Sequence, residues 1–471
     1  MPEGTLNYRP ANAYVGDVIP FFWRGRYHAF YLLSARVGTT VGLDWAHVVS
    51  DDLVHWQELP LAIARGEPGE PDHAGVWTGS VIEKGGTFHI FYTGWVPDSP
   101  TPQTICHATS EDLVHWRKDP ANPILKPDPR WYDMTDWRDP FVTWNDQASC
   151  YWMLITSRRC DTPWPRRGCL ALATSSDLDH WEMHPPLWRP DLAYAPECSD
   201  LFCDDGQWTL IYSWGQTRLR RAPSLEGPWT APAIDSVDGH PFYAAKTLHD
   251  GRRRILLGWI ALREGETDDG RWRWGGRMGL PRELGFDADG NVRTRPVDEV
   301  VKAFARLVFS PKEANAAATN ASAWKTEGKD VVVDAAEGAL HLCLADLPAT
   351  CLVTCRVQFS RMAASGGLLL RMSEGADAGY SLMVEPARQR VVFRRWNEMG
   401  RGEPLIDRPL RVEAGRWVRM QVFMQDTVVE VFLDDRVALS CRMYDRRSGW
   451  LGLLAQNGRV RFADLAVRAM E

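Results

Sequence analysis

The chain has 471 residues, 61 of them acidic and 54 basic, for a formal net charge of −7; no basic block could track a phosphate backbone, so nucleic acid is excluded as an expected partner. No run approaches the ~20 apolar residues that span a bilayer, and the start, MPEGTLNYRP, lacks the charged and apolar segments of a secretory signal. A soluble, cytoplasmic protein with no membrane partner is expected, and its length calls for two cores rather than one.

Taken in chain order, the first half repeats itself. Strand, turn and strand follow one another at Val18–Phe22 with Tyr27–Tyr31, Gly79–Ile82 with Thr87–Tyr92, and Asp139–Val142 with Tyr151–Ile155. The pattern returns at Asp200–Phe202 with Trp208–Tyr212 and at His240–Tyr243 with Ile255–Trp259. Between these units a second phrase recurs: Ser50-Asp-Asp-Leu-Val-His-Trp56, Ser110-Glu-Asp-Leu-Val-His-Trp116, Ser176-Asp-Leu-Asp-His-Trp181, and a worn copy, Ala222-Pro-Ser-Leu-Glu-Gly-Pro-Trp229. Each copy reads as an outer hairpin in which Asp or Ser makes the turn and Trp plugs the blade. Repeats of this length, made of short strands and turns, indicate propeller blades, and five units make five blades, over residues 1–295.

Residues 296–323 read as a linker, with a short helix over Pro296–Phe304 and a stretch of linker composition from Ser310 to Ala323. From 324 to 471 β-rich runs return without helices, among them Ala339–Leu344, Leu368–Met372, Val391–Phe393, Trp417–Phe423 and Val428–Leu433, so the second domain is expected to be a β-sandwich. The fold class is all-β.

Ten cysteines in such a chain are not dense, and several lie in apolar runs where a free thiol packs as a small hydrophobe. Cys351 with Cys355 and Cys198 with Cys203 are spaced for metal binding, yet neither pair is matched by a second pair or by histidines. No metal and no cofactor are expected. The 23 tryptophans suit a carbohydrate protein, because indoles stack on sugar C–H faces, although most will be structural.

In a propeller the first strand of each blade lines the central channel, so residues leading into the five first strands meet at one end of the axis. They are Asp17; the Trp77-Thr-Gly-Ser80 segment; Arg138 with Asp139; Glu197 with Asp200; and Asp238 with His240. Taken singly, Asp17 and Asp139 are ordinary turn formers. Three acids gathered at equivalent positions repel one another, and folds rarely keep such a cluster without a task. The task that suits paired carboxylates without a metal is glycosidic cleavage, with one group attacking the anomeric carbon and the other protonating the leaving oxygen. Glu197 is the candidate acid/base, Asp17 the candidate nucleophile, and Asp139, beside Arg138, the group that binds ring hydroxyls as charge develops.

These residues resemble glycoside hydrolase family 32, the β-fructofuranosidases. The resemblance is carried, in order along nearly the whole chain, by Trp45–Pro60, Trp77–Ser80, Trp137–Pro140, Glu197–Asp200, Phe242–Lys246, and Val429–Leu433 running on to Arg442–Tyr444. It implies a five-bladed propeller with a C-terminal sandwich, Asp139 as transition-state stabiliser, Glu197 as acid/base, and sugar contacts at Trp77 and Ser80. Arg138, Trp45, His240 and Trp259 complete the expected substrate-binding set. One block departs: the family's Asn-Asp-Pro-Asn-Gly is replaced by Gly16-Asp17-Val18-Ile19-Pro20, so the Asn side chains that contact the terminal sugar are gone. The expected reaction is retaining hydrolysis of a β-fructofuranosidic bond in sucrose, a fructan or fructo-oligosaccharide, or a difructose anhydride. The alternatives are a five-bladed arabinofuranoside hydrolase working by inversion and a non-catalytic sugar-binding propeller.

Overall fold

A computed structural model of the chain describes residues 6–310, 317–318, 324–396 and 403–470. The inner strands of the five blades are Tyr14–Trp23, Gly75–Lys84, Tyr132–Asn145, Glu197–Asp204 and Phe242–His249. Each pairs antiparallel with the strand that follows it, and blades one to three add two further strands outward. Blade four has three strands plus isolated bridges such as Arg221 with Thr230. In blade five the second strand, Arg254–Arg263, shares its outer edge between Trp272–Met278 and Arg282–Phe286. The ring closes where Val15 of blade one pairs with Gly276 of blade five.

The recurring phrase forms the same turn three times. The hydroxyls of Ser50, Ser110 and Ser175 accept the amides of Leu53, Leu113 and Leu178 at 2.8 to 3.0 Å, and those three leucines sit at φ of 64°, 67° and 73°. The strain of a left-handed leucine is held by the residue before it, since Asp52, Asp112 and Asp177 each accept the two backbone amides that follow the leucine and pair with a histidine ring nitrogen. The tryptophans reach further than their own blades. Trp116 of blade two packs edge-on against Phe30 of blade one at 5.9 Å, and Trp181 of blade three does the same to Phe91 of blade two at 5.5 Å. They join blade to blade.

All five inner strands carry a bulge at the same level. The ladder register breaks between Val15 and Val18, Trp77 and Gly79, Arg138 and Phe141, Glu197 and Asp200, and Tyr243 and Lys246. In a regular strand neighbouring side chains point to opposite faces; one inserted residue lets two neighbours point the same way. Arg138 with Asp139 and Glu197 with Cys198 both face the central cavity for this reason. Asp139, Cys198 and Ala244 take φ near 50 to 57° to do so.

Beyond the propeller, the helix expected over Pro296–Phe304 is the shorter Asp298–Lys302, with Phe304 buried just after it. Most of the stretch expected as linker, 311–316 and 319–323, lies outside the described residues; Ala317 and Ala318 between them pair with Cys343 and Leu342. Strands from Arg306 to Ala469 build the β-sandwich. Its final strand, Trp450–Ala469, pairs with Ser365–Met372 at one end and Thr350–Phe359 at the other, and so ties its layers together. The sandwich is fastened to blade five through buried charge: Arg282 donates to Asp238 and to Glu430 at 2.6 Å each, and Asp238 also accepts the Ser440 amide and hydroxyl. Arg442 caps the Ile260 and Ala261 carbonyls of the same blade. Every one of these charges has a partner, as a dry interior demands. Among the described residues no helix is long and apolar enough to cross a membrane.

Candidate active site

The bulges place two rings of side chains at one end of the channel. The residue before each bulge is Val15, Trp77, Arg138, Glu197 or Tyr243, and all but Val15 line a cavity of about 330 Å³. The residues in the bulges supply Asp17, Asp139 and Cys198 to the same cavity, and Thr78 beside them. Asp17, Asp139 and Glu197, far apart in sequence, thus share one space.

The upper ring explains how Glu197 is held. Its two flanking blades present Arg138 and Tyr243 at the equivalent register position: Arg138 Nη2 donates to Oε1 at 3.0 Å and the Tyr243 hydroxyl donates to Oε2 at 2.7 Å. The carboxyl is clamped from both sides and yet remains 36% exposed, open to the cavity. Arg138 is itself steered by Asp136 and by Gln103 Oε1 at 3.3 Å.

Asp17 lies deeper, only 8% exposed. Trp259 Nε1 donates to its Oδ1 at 2.9 Å and Thr78 Oγ1 to its Oδ2 at 2.5 Å. Burial, followed by the charge of Asp139, pushes its pKa up to about 6, and those two hydrogen bonds pull the other way. Asp139 accepts the Cys198 amide at 2.9 Å, and its own amide donates to Thr93. Burial raises its carboxyl too, opposed by the Arg138 guanidinium. The Cys198 thiol, with Sγ at 3.5 Å from Asp17 Oδ2, is pushed well up by burial and then by both aspartates, so it stays protonated between them.

The first block has a physical reason for its glycine. A Cβ on Gly16 would meet the Trp274 ring at 2.2 Å and Leu32 at 3.2 Å. Trp274, Leu32 and Leu43 make that wall of the cavity apolar.

Of the expected sugar contacts, Arg138 and Trp77 line the cavity, and Trp77 is stacked on Trp95 at 4.9 Å. Trp259 reaches the site through its bond to Asp17. Three others do not line it. Ser80 is buried below the bulge, where its hydroxyl accepts the Val142 amide and stitches blade two to blade three. Trp45 is fully buried and donates to the Trp77 carbonyl. His240 precedes its inner strand, which begins at Phe242, and its ring lies against Trp272 at 5.2 Å; the axis position of blade five belongs to Tyr243. Tyr243, Asp136, Gln103 and Trp274 were not singled out from sequence. Tyr243 carried a usable signal, because it stands in Phe242–Lys246, where the inner strand starts. Among the described residues no group of three or more His, Cys, Asp or Glu side chains is arranged to hold a metal ion.

Residues 9–296 match the model of the glycosyl hydrolases family 32 N-terminal domain, and residues 312–469 that of the glycosyl hydrolases family 32 C terminal. The chain belongs to glycosyl hydrolase family 32. It is 30% identical over 317 residues to a sucrose-6-phosphate hydrolase of Escherichia coli, covering 62% of this chain and 63% of that one. It is 27% identical over 335 residues to a fructan 1-exohydrolase of Bromus pictus, covering 64% and 54%. The aligned segment thus spans less than two thirds of these relatives' length. Among solved structures, a variant of fructan 1-exohydrolase IIa from Cichorium intybus in complex with 1-kestose superposes with a TM-score of 0.75 at 18% identity, over 100% of this chain and 97% of that one. Sucrose-6-phosphate hydrolase from Lactobacillus gasseri follows at 0.73 and 17%, over 99% and 93%. At these identities the likeness establishes the family 32 fold: a five-bladed propeller with a C-terminal β-sandwich.

Proposed function

We propose that this family 32 chain hydrolyses β-fructofuranosidic bonds with retention, releasing a terminal fructose from sucrose or a fructo-oligosaccharide. The observation that carries this reading is the shared cavity, in which Glu197 is clamped by Arg138 and Tyr243 and faces a buried Asp17. In the first step an Asp17 oxygen attacks C2 of the fructosyl unit while the C2–O bond breaks, and the Glu197 proton passes to the leaving oxygen. In the second, Glu197 takes a proton from water, whose oxygen attacks C2 and frees Asp17. Asp139 and Arg138 bind ring hydroxyls, contacts that tighten as positive charge grows on the ring. Asp17 is ionised, and able to attack, above its raised pKa of about 6. Sucrose and 1-kestose, each present in a complex of a structurally similar protein, both end in such a fructosyl unit.

The test is release of reducing sugar from sucrose and 1-kestose. Asp17→Asn and Glu197→Gln should each lower kcat by on the order of 10³-fold or more, as when one member of a catalytic unit is lost. Turnover near that of the unaltered chain in either variant would reject the roles assigned here.

A further inference from the structure

Three exposed aromatic side chains stand on blades three and four, on segments at the acid-bearing end of the channel. Trp164, Tyr194 and Trp214 are 56%, 59% and 36% exposed. Trp164 opens the short turn Trp164–Arg166 between the second and third strands of blade three. Tyr194 lies in the segment that leads into Glu197, with its carbonyl packed against Gly168, where a Cβ would stand 2.0 Å away. Trp214 ends the second strand of blade four, one residue beyond Ser213, the ladder partner of Glu197. All three therefore stand at the end of the channel that holds the acids. Trp144, which is also exposed, pairs with Tyr151 at the opposite end.

A path of contacts joins Trp164 to the reacting groups. The Arg158 guanidinium lies 4.1 Å over the Trp164 ring, its Nε meets Asp136 Oδ2 at 2.6 Å, Asp136 binds Arg138, and Arg138 holds Glu197. Trp164 is thus coupled to the cavity wall through Arg158 and Asp136.

We infer that Trp164, Tyr194 and Trp214 form a subsite for the leaving-group portion of the substrate, a neutral sugar or short oligosaccharide whose ring C–H faces stack on them. The inference rests on Glu197 being the proton donor. The leaving oxygen must lie at Glu197, so whatever is attached to it emerges over blades three and four, where these rings stand. Indoles and phenols left open to water beside a polar cavity are suited to sugars, which offer an apolar face with hydroxyls around its edge.

The experiment compares leaving groups in the full-length chain. Wild type and the Trp164→Ala, Tyr194→Ala, Trp214→Ala and triple variants are assayed on methyl β-D-fructofuranoside, whose leaving group has no ring, and on sucrose and 1-kestose. The triple variant should lose tenfold or more in kcat/KM on sucrose and 1-kestose, mainly through KM, and stay within twofold on the methyl glycoside. Trp214→Phe, which keeps an aromatic face, should retain most of what Trp214→Ala loses. Equal losses on all three substrates, or no loss on any, would overturn the subsite. Wild-type oligomers that dissociate in the triple variant, with kinetics unchanged, would show that the rim is covered by a second copy and would also overturn it. Absence of turnover by wild type on every substrate would instead bring down the hydrolase reading, and the subsite with it.

Discussion

The two ends of the propeller channel are built from the same inner strands and have opposite characters. Above the bulges, Arg138, Asp139, Glu197 and Asp17 crowd a cavity of about 330 Å³. Below them, a hollow of about 200 Å³ is lined largely by Ile19, Phe21, Phe22, Val81, Phe141, Val142 and Leu248, with Lys246 turned to the Ser199 carbonyl at 2.6 Å. The difference lies in what the backbone can offer. At the bulges the ladder is broken, so amides and hydroxyls such as Cys198 N and Thr78 Oγ1 are free to serve carboxylates, which would otherwise be too costly to bury. Below, the ladder is regular again, and the polar side chains that remain, such as Ser80, Asp200 and Lys246, are taken up in stitches between neighbouring blades. Size alone does not mark the working end, since a hollow of about 390 Å³ in the sandwich, around Met362, Met383 and Glu385, holds one acid already paired to Arg390.

The contrast is broken most severely by crowding the upper end. Gly16→Ala places a methyl group where the Trp274 ring now lies, and Trp274 is backed by Trp259, the donor to Asp17. The ring must shift into the cavity or drag Trp259 with it. A displacement of about 1 Å at a reacting group costs on the order of 10²-fold in rate, so kcat/KM on sucrose should fall by roughly that factor. Adding Trp274→Ala should recover part of the loss. An active Gly16→Ala single variant would show that the glycine is incidental.

A milder change sharpens the electrostatic side of the comparison. Thr78 donates to the ionised form of Asp17, so Thr78→Val removes an interaction that lowers the pKa, and the value should rise from about 6. A hydrogen bond to a charged group is worth about 1.5–3 kcal/mol, which corresponds to about one to two pKa units. With Asp17 as the proposed nucleophile, activity requires its charged form, so the acid limb of kcat/KM against pH should move upward by about one to two units, with rates well above it little altered. An unmoved limb would mean that the limb reports a group other than Asp17.

The same contrast shows what could be read from sequence. The five units, the three acids and the sandwich were legible because the repeat and its strand openings are written in residue order. The bulges were not, since an inserted residue looks like any other until its partner strand is known. That is why the sequence points to His240 and not to Tyr243 three residues later, and why Ser80, two residues beyond Thr78, reads as a sugar contact although it faces below the break. Trp45, Trp116 and Trp181 show the same limit: an indole in a repeat looks like a plug for its own blade, whereas packing across blades depends on the twist between neighbouring sheets. The Gly16 substitution was visible as a departure, but its cause is a ring from the other end of the propeller sequence, brought in by the pairing of Val15 with Gly276.

The smallest expected effect tests whether the two ends are independent. Ile19 lies two residues beyond Asp17 on the same strand and faces the apolar hollow, 2% exposed. Ile19→Val removes one buried methylene, which should cost about 0.5–1.5 kcal/mol of stability, as read by denaturant unfolding. Between Ile19 and Asp17 the ladder is regular from Val18 onward, and Asp17 is tied to Thr78 and Trp259 on other strands. Those two bonds fix the carboxylate independently of what packs beneath it, so kcat/KM on sucrose and its acid limb should stay within twofold and a few tenths of a pH unit of wild type. A shifted limb in Ile19→Val would mean that packing below the bulge sets the position of the nucleophile, and that the two ends work as one unit.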